Sequence, residues 1–431
     1  MPMTYEQTIE YLYKQLPMFS RIGAAAYKKD LHNSIALCEA IGNPQNKFRS
    51  IHIAGTNGKG STSHMLAAIL QQAGYKTGLY TSPHIKAFGE RIRINGEMIN
   101  RDFVIRFTER TKAICDDIQP SFFELTVAMA FEYFAEQQVD IAVIETGLGG
   151  RLDSTNIISP LLSVITNIGY DHMDILGNTL PQIASEKAGI IKQATPVVIG
   201  EYLPETKPVF EKKAAEMQAD IYFAEELYGI SSIRHNADSL KCTVTDLHNH
   251  HQEDFLLDLN GSYQVKNLRT VLTAKKVLVN AGFQIDMNAE KSALAHVKPL
   301  TGLSGRWDII QQHPTIILDV AHNEDGIKQL LLQLQHCYPD AVYHFVLGFV
   351  KDKDVSHVLD LLPVNARYYF TNAHIQRALP HESLQKIAAE KKLYGKSYDD
   401  VNEAIREATA AANTTDVVLV CGSFFIIAEI T

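Results

Sequence analysis

A chain of 431 residues, 46% hydrophobic and 21% charged, has the composition of a soluble globular protein and is too long for one ordinary core, so two domains are expected. The formal net charge of −9 leaves no basic excess to neutralise a nucleic-acid backbone, so an anionic ligand has to be met by local groups. The five cysteines (Cys38, Cys115, Cys242, Cys337, Cys421) stand far apart without metal-ligand spacing, which argues against a disulfide framework and for a reducing compartment. Met1–Gln7 lacks the basic start and apolar stretch of a signal peptide, and no run is long enough to span a bilayer. The expectation is a cytoplasmic protein with no membrane and no nucleic-acid partner.

Helices are predicted over residues 4–16 and 28–41, the second with Leu31, Ile35, Cys38 and Ile41 on one face. Ile51-His52-Ile53-Ala54 then reads as a buried strand and Thr62–Leu70 as a helix. Between them lies Gly55-Thr56-Asn57-Gly58-Lys59-Gly60-Ser61, a glycine-rich turn that aims backbone N–H groups inward at the positive end of a helix dipole. That is a phosphate cradle. Lys59 can reach the β- and γ-phosphates of a nucleotide, and Ser61 or Thr62 can offer a hydroxyl to Mg²⁺. Ile53 and Gly60 replace the first glycine and the Ser/Thr of the strict pattern, so the loop is a variant.

Further strands are predicted at 77–81, 141–145, 162–167 and 196–199, with helices at 102–115, 121–137 and 205–217. This alternation implies a mostly parallel sheet covered on both faces, with ligands at the carboxyl ends of its strands. Residues 220–260 read as a small antiparallel appendage leading into a helix at 265–281, and 298–305 reads as the linker. Strands at 316–320, 343–347, 368–371 and 417–421 alternate with helices near 324–336, 382–392 and 399–412. The predicted class is therefore α/β. Residues 1–297 carry the phosphate loop, and 306–431 form a smaller Rossmann-like domain without the dinucleotide fingerprint.

Four segments carry chemistry. Glu145 ends an apolar strand, where its carboxylate faces the same crevice as the loop and suits Mg²⁺. Asp171-His172 follows another strand, and a neutral imidazole can ligate a metal. Thr81-Ser82-Pro83-His84 offers hydroxyls to a metal or a phosphate. Ser185–Lys192 reads by spacing alone as a helix with a solvated charge pair. Plain readings suffice for three others: His248–His251 and Lys351–Asp354 as solvated loops, and Trp307 as packing.

In this order the motifs make the chain similar to the folylpolyglutamate synthase/dihydrofolate synthase family, bacterial bifunctional type, within the Mur ligase superfamily. They are Gly55–Ser61, Tyr80–His84, Phe88–Ile94, Glu145–Asp153, Asp171-His172 with Leu176-Gly177, Glu186–Ile190, Gly261–Asn267, Gly305–Trp307 and Asp319–Asn323. The resemblance implies an ATP-dependent amide ligase that activates a pterin-bearing carboxylate as an acyl phosphate and joins it to L-glutamate. Carried over, Gly55, Thr56, Asn57, Gly58, Lys59, Gly60, Ser61 and Thr62 hold the phosphates, and Asn267, Arg306 and Asp319 also contact ATP. Ser82 and Glu145 bind one Mg²⁺, and Glu145 and His172 a second. Lys187 matches a lysine carbamylated in the superfamily, which replaces the solvated-charge reading. Lys59, Lys187, His172 and His322 are the expected catalytic residues, and Arg151, Asp153 and His322 the expected substrate contacts. Asp319 and His322 match the C-terminal contribution to an interdomain cleft whose closure excludes water. A monomer is implied. Gly89, Tyr263 and Val320 depart from the common Asn, His and Gly, which puts substrate preference in question.

The sequence opposes three other classes. A cell-wall Mur ligase is opposed by Gly60 after the lysine and by only about 50 residues before the loop, too few for an ordinary extra domain. A non-catalytic nucleotide-binding regulator has no use for Glu145, His172 and Lys187 together. A nucleic-acid-stimulated ATPase is opposed by the acidic charge.

Overall fold

The computed structural model describes residues 3–18, 30–236, 239–351 and 353–431, so residues 28 and 29 of the expected second helix and Asp352 lie outside the described residues. The chain divides into two compact units. The first comprises Met1–Ile233, Lys241–Asp258 and Gln264–Leu303; the second comprises Arg234–Leu240, Leu259–Tyr263 and Ser304–Thr431.

In the first unit, β1 (Arg49–Ala54), β2 (Thr77–Tyr80), β3 (Ile92–Ile94), β4 (Glu97–Met98), β5 (Ile141–Glu145), β6 (Leu162–Ile165), β7 (Val197–Ile199) and β8 (Ile221–Phe223) form one sheet. Its order is β4-β3-β2-β5-β1-β6-β7-β8. Pairing is parallel from β2 to β8, and β3 and β4 add an antiparallel edge. Only Arg49 of β1 is exposed, as expected for a parallel strand covered on both faces. The helix Phe122–Glu136 starts at a capping box, with Ser121 accepting from the Glu124 N–H and the Glu124 carboxylate accepting from the Ser121 N–H. Its face is lined by Phe122, Leu125, Met129, Phe131 and Phe134, which pack into the core beside β2 and β5.

Three sequence expectations are revised. The helix after the phosphate loop begins at Lys59, three residues before the expected Thr62, because Gly58, at φ 83°, serves as its N-cap. In residues 220–260, β8 joins the main sheet, while β9 (Tyr228–His235), β10 (Leu240–Asp246) and β11 (Gln252–Leu257) form the separate small antiparallel sheet. The first half of the expected linker is helical: Val297–Thr301 forms a short helix in the first unit, ended by Gly302 at φ 71°. Pro299 lies in its first turn, where a missing N–H costs nothing, and the buried Thr301 hydroxyl meets His64 Nδ1 at 2.8 Å. The units part between Leu303 and Ser304.

In the second unit, β12 (Asp308–Gln311), β13 (Thr315–Leu318), β14 (Tyr343–Leu347), β15 (Arg367–Phe370), β16 (Gly395–Ser397) and β17 (Val417–Cys421) run in the order β12-β13-β17-β14-β15-β16. All neighbours are parallel except β12 against β13. The edge strands β12 and β16 are short and half-exposed, too polar to stand out in sequence. The core stacks Phe345 on Tyr368 at 5.5 Å and Tyr368 on Phe370 at 5.9 Å, with Trp307 buried in the same cluster. No helix among the described residues is long and apolar enough to cross a membrane.

Two stability outcomes follow. Phe345→Ala removes a ring that is wholly buried and is expected to lower the unfolding free energy by about 3–5 kcal/mol, measured by urea denaturation. His52 is wholly buried on β1, and burial with nearby Lys192 pushes its imidazole down to about 3. The unfolded chain therefore binds a proton at His52 that the fold excludes, and this part of the stability falls as pH drops from about 6.5 toward 3. Urea midpoints at pH 6 and pH 4 should show the wild type losing about 2 kcal/mol more than His52→Gln.

Candidate active site

Four neighbouring strands, β2, β5, β1 and β6, end at the same sheet edge, and each delivers a segment singled out in the sequence. β1 runs into the Gly55 loop, β2 into Ser82, β5 ends on Glu145, and β6 runs toward Asp171 and His172. A parallel sheet gathers chemistry at the carboxyl ends of its strands for this reason.

The phosphate loop is held from behind by the segment after β6. Thr166 Oγ1 donates to Asn57 O at 2.5 Å, Asn57 N–H to Asn167 Oδ1 at 2.8 Å, and Thr56 Oγ1 to Gly169 O at 3.1 Å. A Cβ on Gly55 would stand 1.8 Å from Thr166 Oγ1, and one on Gly58 would stand 2.3 Å from Asn267 Oδ1. Both neighbours are side-chain atoms that would have to shift, and at φ 154° and 83° a residue other than glycine is strained at either position. The N–H groups of Lys59, Gly60 and Ser61 open the helix and have no partner within it. Lys59 Nζ donates to Gly55 O at 3.0 Å and to Thr56 O at 3.3 Å. Gln264 Nε2 donates to Ser61 Oγ at 3.2 Å, and Asn267 Nδ2 to Gln264 Oε1 at 2.8 Å. Thr62 Oγ1 is fully buried with no hydrogen-bond partner among the described residues. Loop amides without a partner inside the helix, the Lys59 ammonium and the Ser61 hydroxyl are a donor set that fits a nucleotide polyphosphate.

Glu145 is buried, and its Oε2 accepts from the Ser82 N–H at 3.2 Å, so the two expected magnesium ligands are neighbours. Lys187 is also buried, with Nζ donating to Gly55 O at 2.8 Å. Its side chain therefore lies under the phosphate loop and is no solvated surface charge. His172 begins a short turn at φ 50°, with Nε2 3.7 Å from Asp171 Oδ1. Among the described residues no three His, Cys, Asp or Glu side chains form a metal cage. The donor set fits Mg²⁺, which takes one or two carboxylates and completes its shell with water and substrate oxygens.

Beside this edge, His84 Nδ1 accepts from Arg91 Nε at 2.7 Å and its Nε2 lies 3.2 Å from Tyr13 Oη. Burial, then the Arg91 charge, pushes the His84 imidazole down to about 3. The Arg91 guanidinium lies 5.2 Å over the Phe122 ring, which offsets part of its burial.

Two residues expected at the substrate have partners within the first unit. Asp153, expected at the substrate, is buried with its carboxylate accepting from Leu148 N–H at 2.7 Å, Thr155 N–H at 3.0 Å and Thr155 Oγ1 at 2.6 Å. It braces its own loop, and burial raises its pKa against these hydrogen bonds. Arg151 is half-exposed and forks onto Glu186 Oε1 at 3.1 and 2.8 Å, so in this structure its charge is spent next to Lys187 in sequence.

In the second unit, Asp319 was expected to contact nucleotide. Its buried carboxylate accepts from Tyr263 Oη at 2.7 Å, Trp307 N–H at 2.9 Å and Ala321 N–H at 2.8 Å. Burial raises the pKa of both Asp319 and Tyr263. Asp319 thus organises the loops that carry Arg306 and His322. Arg306 lies 5.2 Å over the Phe424 ring, and His322 Nδ1 lies 2.9 Å from Val320 O. His248 and His250 are exposed as expected, although His251 pairs with Glu253 at 2.9 Å. Sequence reasoning missed Thr166, Asn167 and Gln264 as loop supports. Position was the available signal: two follow a strand end, and one opens the helix carrying Asn267.

A phosphate loop on a mostly parallel sheet, with a buried strand-end acid, a buried lysine beneath the loop and a second α/β unit, defines an ATP-dependent ligase of the Mur class. Residues 53–274 match the Mur ligase middle domain, and residues 305–424 match the Mur ligase glutamate ligase domain. The dihydrofolate synthase/folylpolyglutamate synthase of Bacillus subtilis is 34% identical over 412 residues, spanning 91% of this chain and 92% of the relative. The Escherichia coli protein of that name is 32% identical, spanning 88% and 85%. The solved structure of E. coli FolC in complex with DHPP and ADP superposes with a TM-score of 0.85 at 29% identity, covering 99% of this chain and 96% of that one. Mycobacterium tuberculosis folylpolyglutamate synthase complexed with ADP and AMPPCP gives 0.84 at 31% identity, covering 93% and 94%. The chain belongs to the dihydrofolate synthase/folylpolyglutamate synthase family.

Gly58→Ala puts a Cβ where Asn267 stands and asks alanine to hold φ 83°. Affinity for Mg·ADP, measured by calorimetry, is expected to fall at least about tenfold, which corresponds to the 1–3 kcal/mol of one strained backbone position.

Proposed function

We propose that this chain joins L-glutamate to dihydropteroate and also extends reduced folates with glutamate, using ATP. The observation that carries the reading is the meeting of the phosphate loop, Ser82 with Glu145, and Lys187 at one sheet edge, in a chain aligned over about nine-tenths of its length with relatives named for both activities. The loop amides and Lys59 would hold the β- and γ-phosphates in line with a substrate carboxylate. Ser82 and Glu145 would hold one Mg²⁺, and Glu145 with His172 a second. When bound, Mg²⁺ supplies charge neutralisation between an anionic nucleophile and the γ-phosphate.

Transfer turns a carboxylate oxygen, a poor leaving group, into a phosphate, a good one; the glutamate amine then forms the amide bond as the C–OPO₃ bond breaks. Lys187, in the reading proposed here, is carbamylated: its amine adds CO₂ and releases a proton, giving an anion at the buried end of the side chain. Arg306 and Asn267 would contact ATP, and His322 the substrates. Asp319 and Asp153 act through the loops they brace. The protein is read as a cytoplasmic monomer.

Phosphate release from Mg·ATP and L-glutamate, with bicarbonate present, is expected with dihydropteroate and with tetrahydrofolate in separate reactions. Release with one acceptor assigns a single activity, and silence with both overturns the reading. Lys187→Ala is expected to lower turnover at least about a hundredfold while Mg·ADP still binds, the signature of an interaction made mainly in the transition state.

A further inference from the structure

Three side chains under the sheet edge form a buried chain of hydrogen bonds. His52 Nε2 lies 2.8 Å from Thr155 Oγ1, and Thr155 Oγ1 donates to Asp153 Oδ1 at 2.6 Å. All three are buried, with relative exposures of 0%, 0% and 2%. Thr155 has one hydroxyl proton. The Asp153 carboxylate takes it while also accepting from the Thr155 and Leu148 N–H groups, and a backbone bond to Gly147 is also made. The Thr155 oxygen therefore accepts from His52, which fixes the imidazole as the neutral Nε2–H tautomer. Its Nδ1 is buried with no hydrogen-bond partner among the described residues, so the ring is oriented from one side only.

The two ends of this chain lie where the chemistry is set. His52 sits on β1 two residues before Ala54, where the strand enters the phosphate loop. Asp153 clamps the amides of Gly147 and Leu148, two and three residues beyond Glu145 on the adjacent strand β5. The loop that follows also docks toward Lys187: Arg151 N–H donates to Glu186 O at 2.7 Å, and Asn156 Nδ2 donates to Gly189 O at 3.1 Å. At this wholly buried position the sequence places a donor and leaves one ring nitrogen unsatisfied at a cost to stability.

We propose that His52 is a positioning residue for the ligase reaction, acting through Thr155 and Asp153 to fix the backbone behind Glu145 against the phosphate loop. This rests on the ligase reading above. Its effect falls on the metal ligand and the loop together, so it appears in turnover and Mg²⁺ dependence rather than in nucleotide affinity alone.

The test compares wild type, His52→Leu, His52→Gln, Thr155→Val and the double variant in phosphate release, with thermal melts for each. A wild type without turnover refutes the ligase reading, and the proposal with it. With an active wild type, His52→Leu and Thr155→Val are each expected to lower kcat about tenfold and raise the half-saturating Mg²⁺ several-fold, with the KM for ATP within about twofold. The double variant should be no worse than either single one, because both break one chain. Glutamine places its amide N–H where imidazole Nε2 stands, so His52→Gln should recover most of the kcat; it also serves if His52→Leu does not fold. Val143→Ala, a cavity in β5 outside the chain of bonds, controls for lost stability. The proposal is overturned if the folded His52 and Thr155 variants keep wild-type kcat and Mg²⁺ dependence. It is equally overturned if their effects add, or if Val143→Ala reproduces them.

Discussion

The close approach at Gly55 is the constraint on which the rest of the site depends. A Cβ there would stand 1.8 Å from Thr166 Oγ1, so a side chain at the point where the chain leaves β1 would displace Thr166. The same residue's carbonyl accepts from Lys59 at 3.0 Å and from Lys187 at 2.8 Å. One peptide group therefore sets where the loop turns, where its own lysine rests and where a lysine 132 positions away in the chain comes to lie. The segment after β6 then closes on the loop from behind through Thr166 and Asn167. Rigidity of this kind means that phosphates meet amides already aimed at them, with little ordering left to be done on binding.

Around that point the first unit spends its buried polar groups on position rather than on contact with ligand. Asp153 saturates its carboxylate on its own loop, and Gln264 ties the helix carrying Asn267 to Ser61. Asp319 does the same in the second unit, holding the Trp307 and Ala321 amides. Acids that look available in sequence are thus consumed in bracing. Asp319 directly follows β13 and Asp153 lies in the loop after β5, and each bends back onto backbone N–H groups, because burial makes leaving them unpaired costly.

The two sheets differ in how much of them could be read. Central strands such as β5, β14 and β17 were placed residue for residue, because runs of β-branched and apolar residues buried on both faces leave few alternatives. The edge strands β12 and β16 were missed, being short and half-exposed. The helix Val297–Thr301 reads as linker in sequence because Pro299 and Gly302 are loop formers, although proline in a first turn and glycine just past the last turn are also what bound a short helix.

Local chemistry is legible from the residues alone: a glycine-rich turn between an apolar strand and a helix, an acid ending a strand, and hydroxyls after another. These are nearest-neighbour properties, dictated by backbone sterics and the period of apolar residues. Lys187 shows what sequence spacing left open. Its spacing suits a solvated helix face, and only the packing of the helix Leu180–Ala188 turns it inward onto Gly55. The same holds for His52, an ordinary residue of a buried strand until the fold brings Thr155, 103 positions away, to its Nε2. Long-range pairing selects which polar groups meet, because burial imposes a cost on every unmatched one and that cost is settled only when distant segments are packed together.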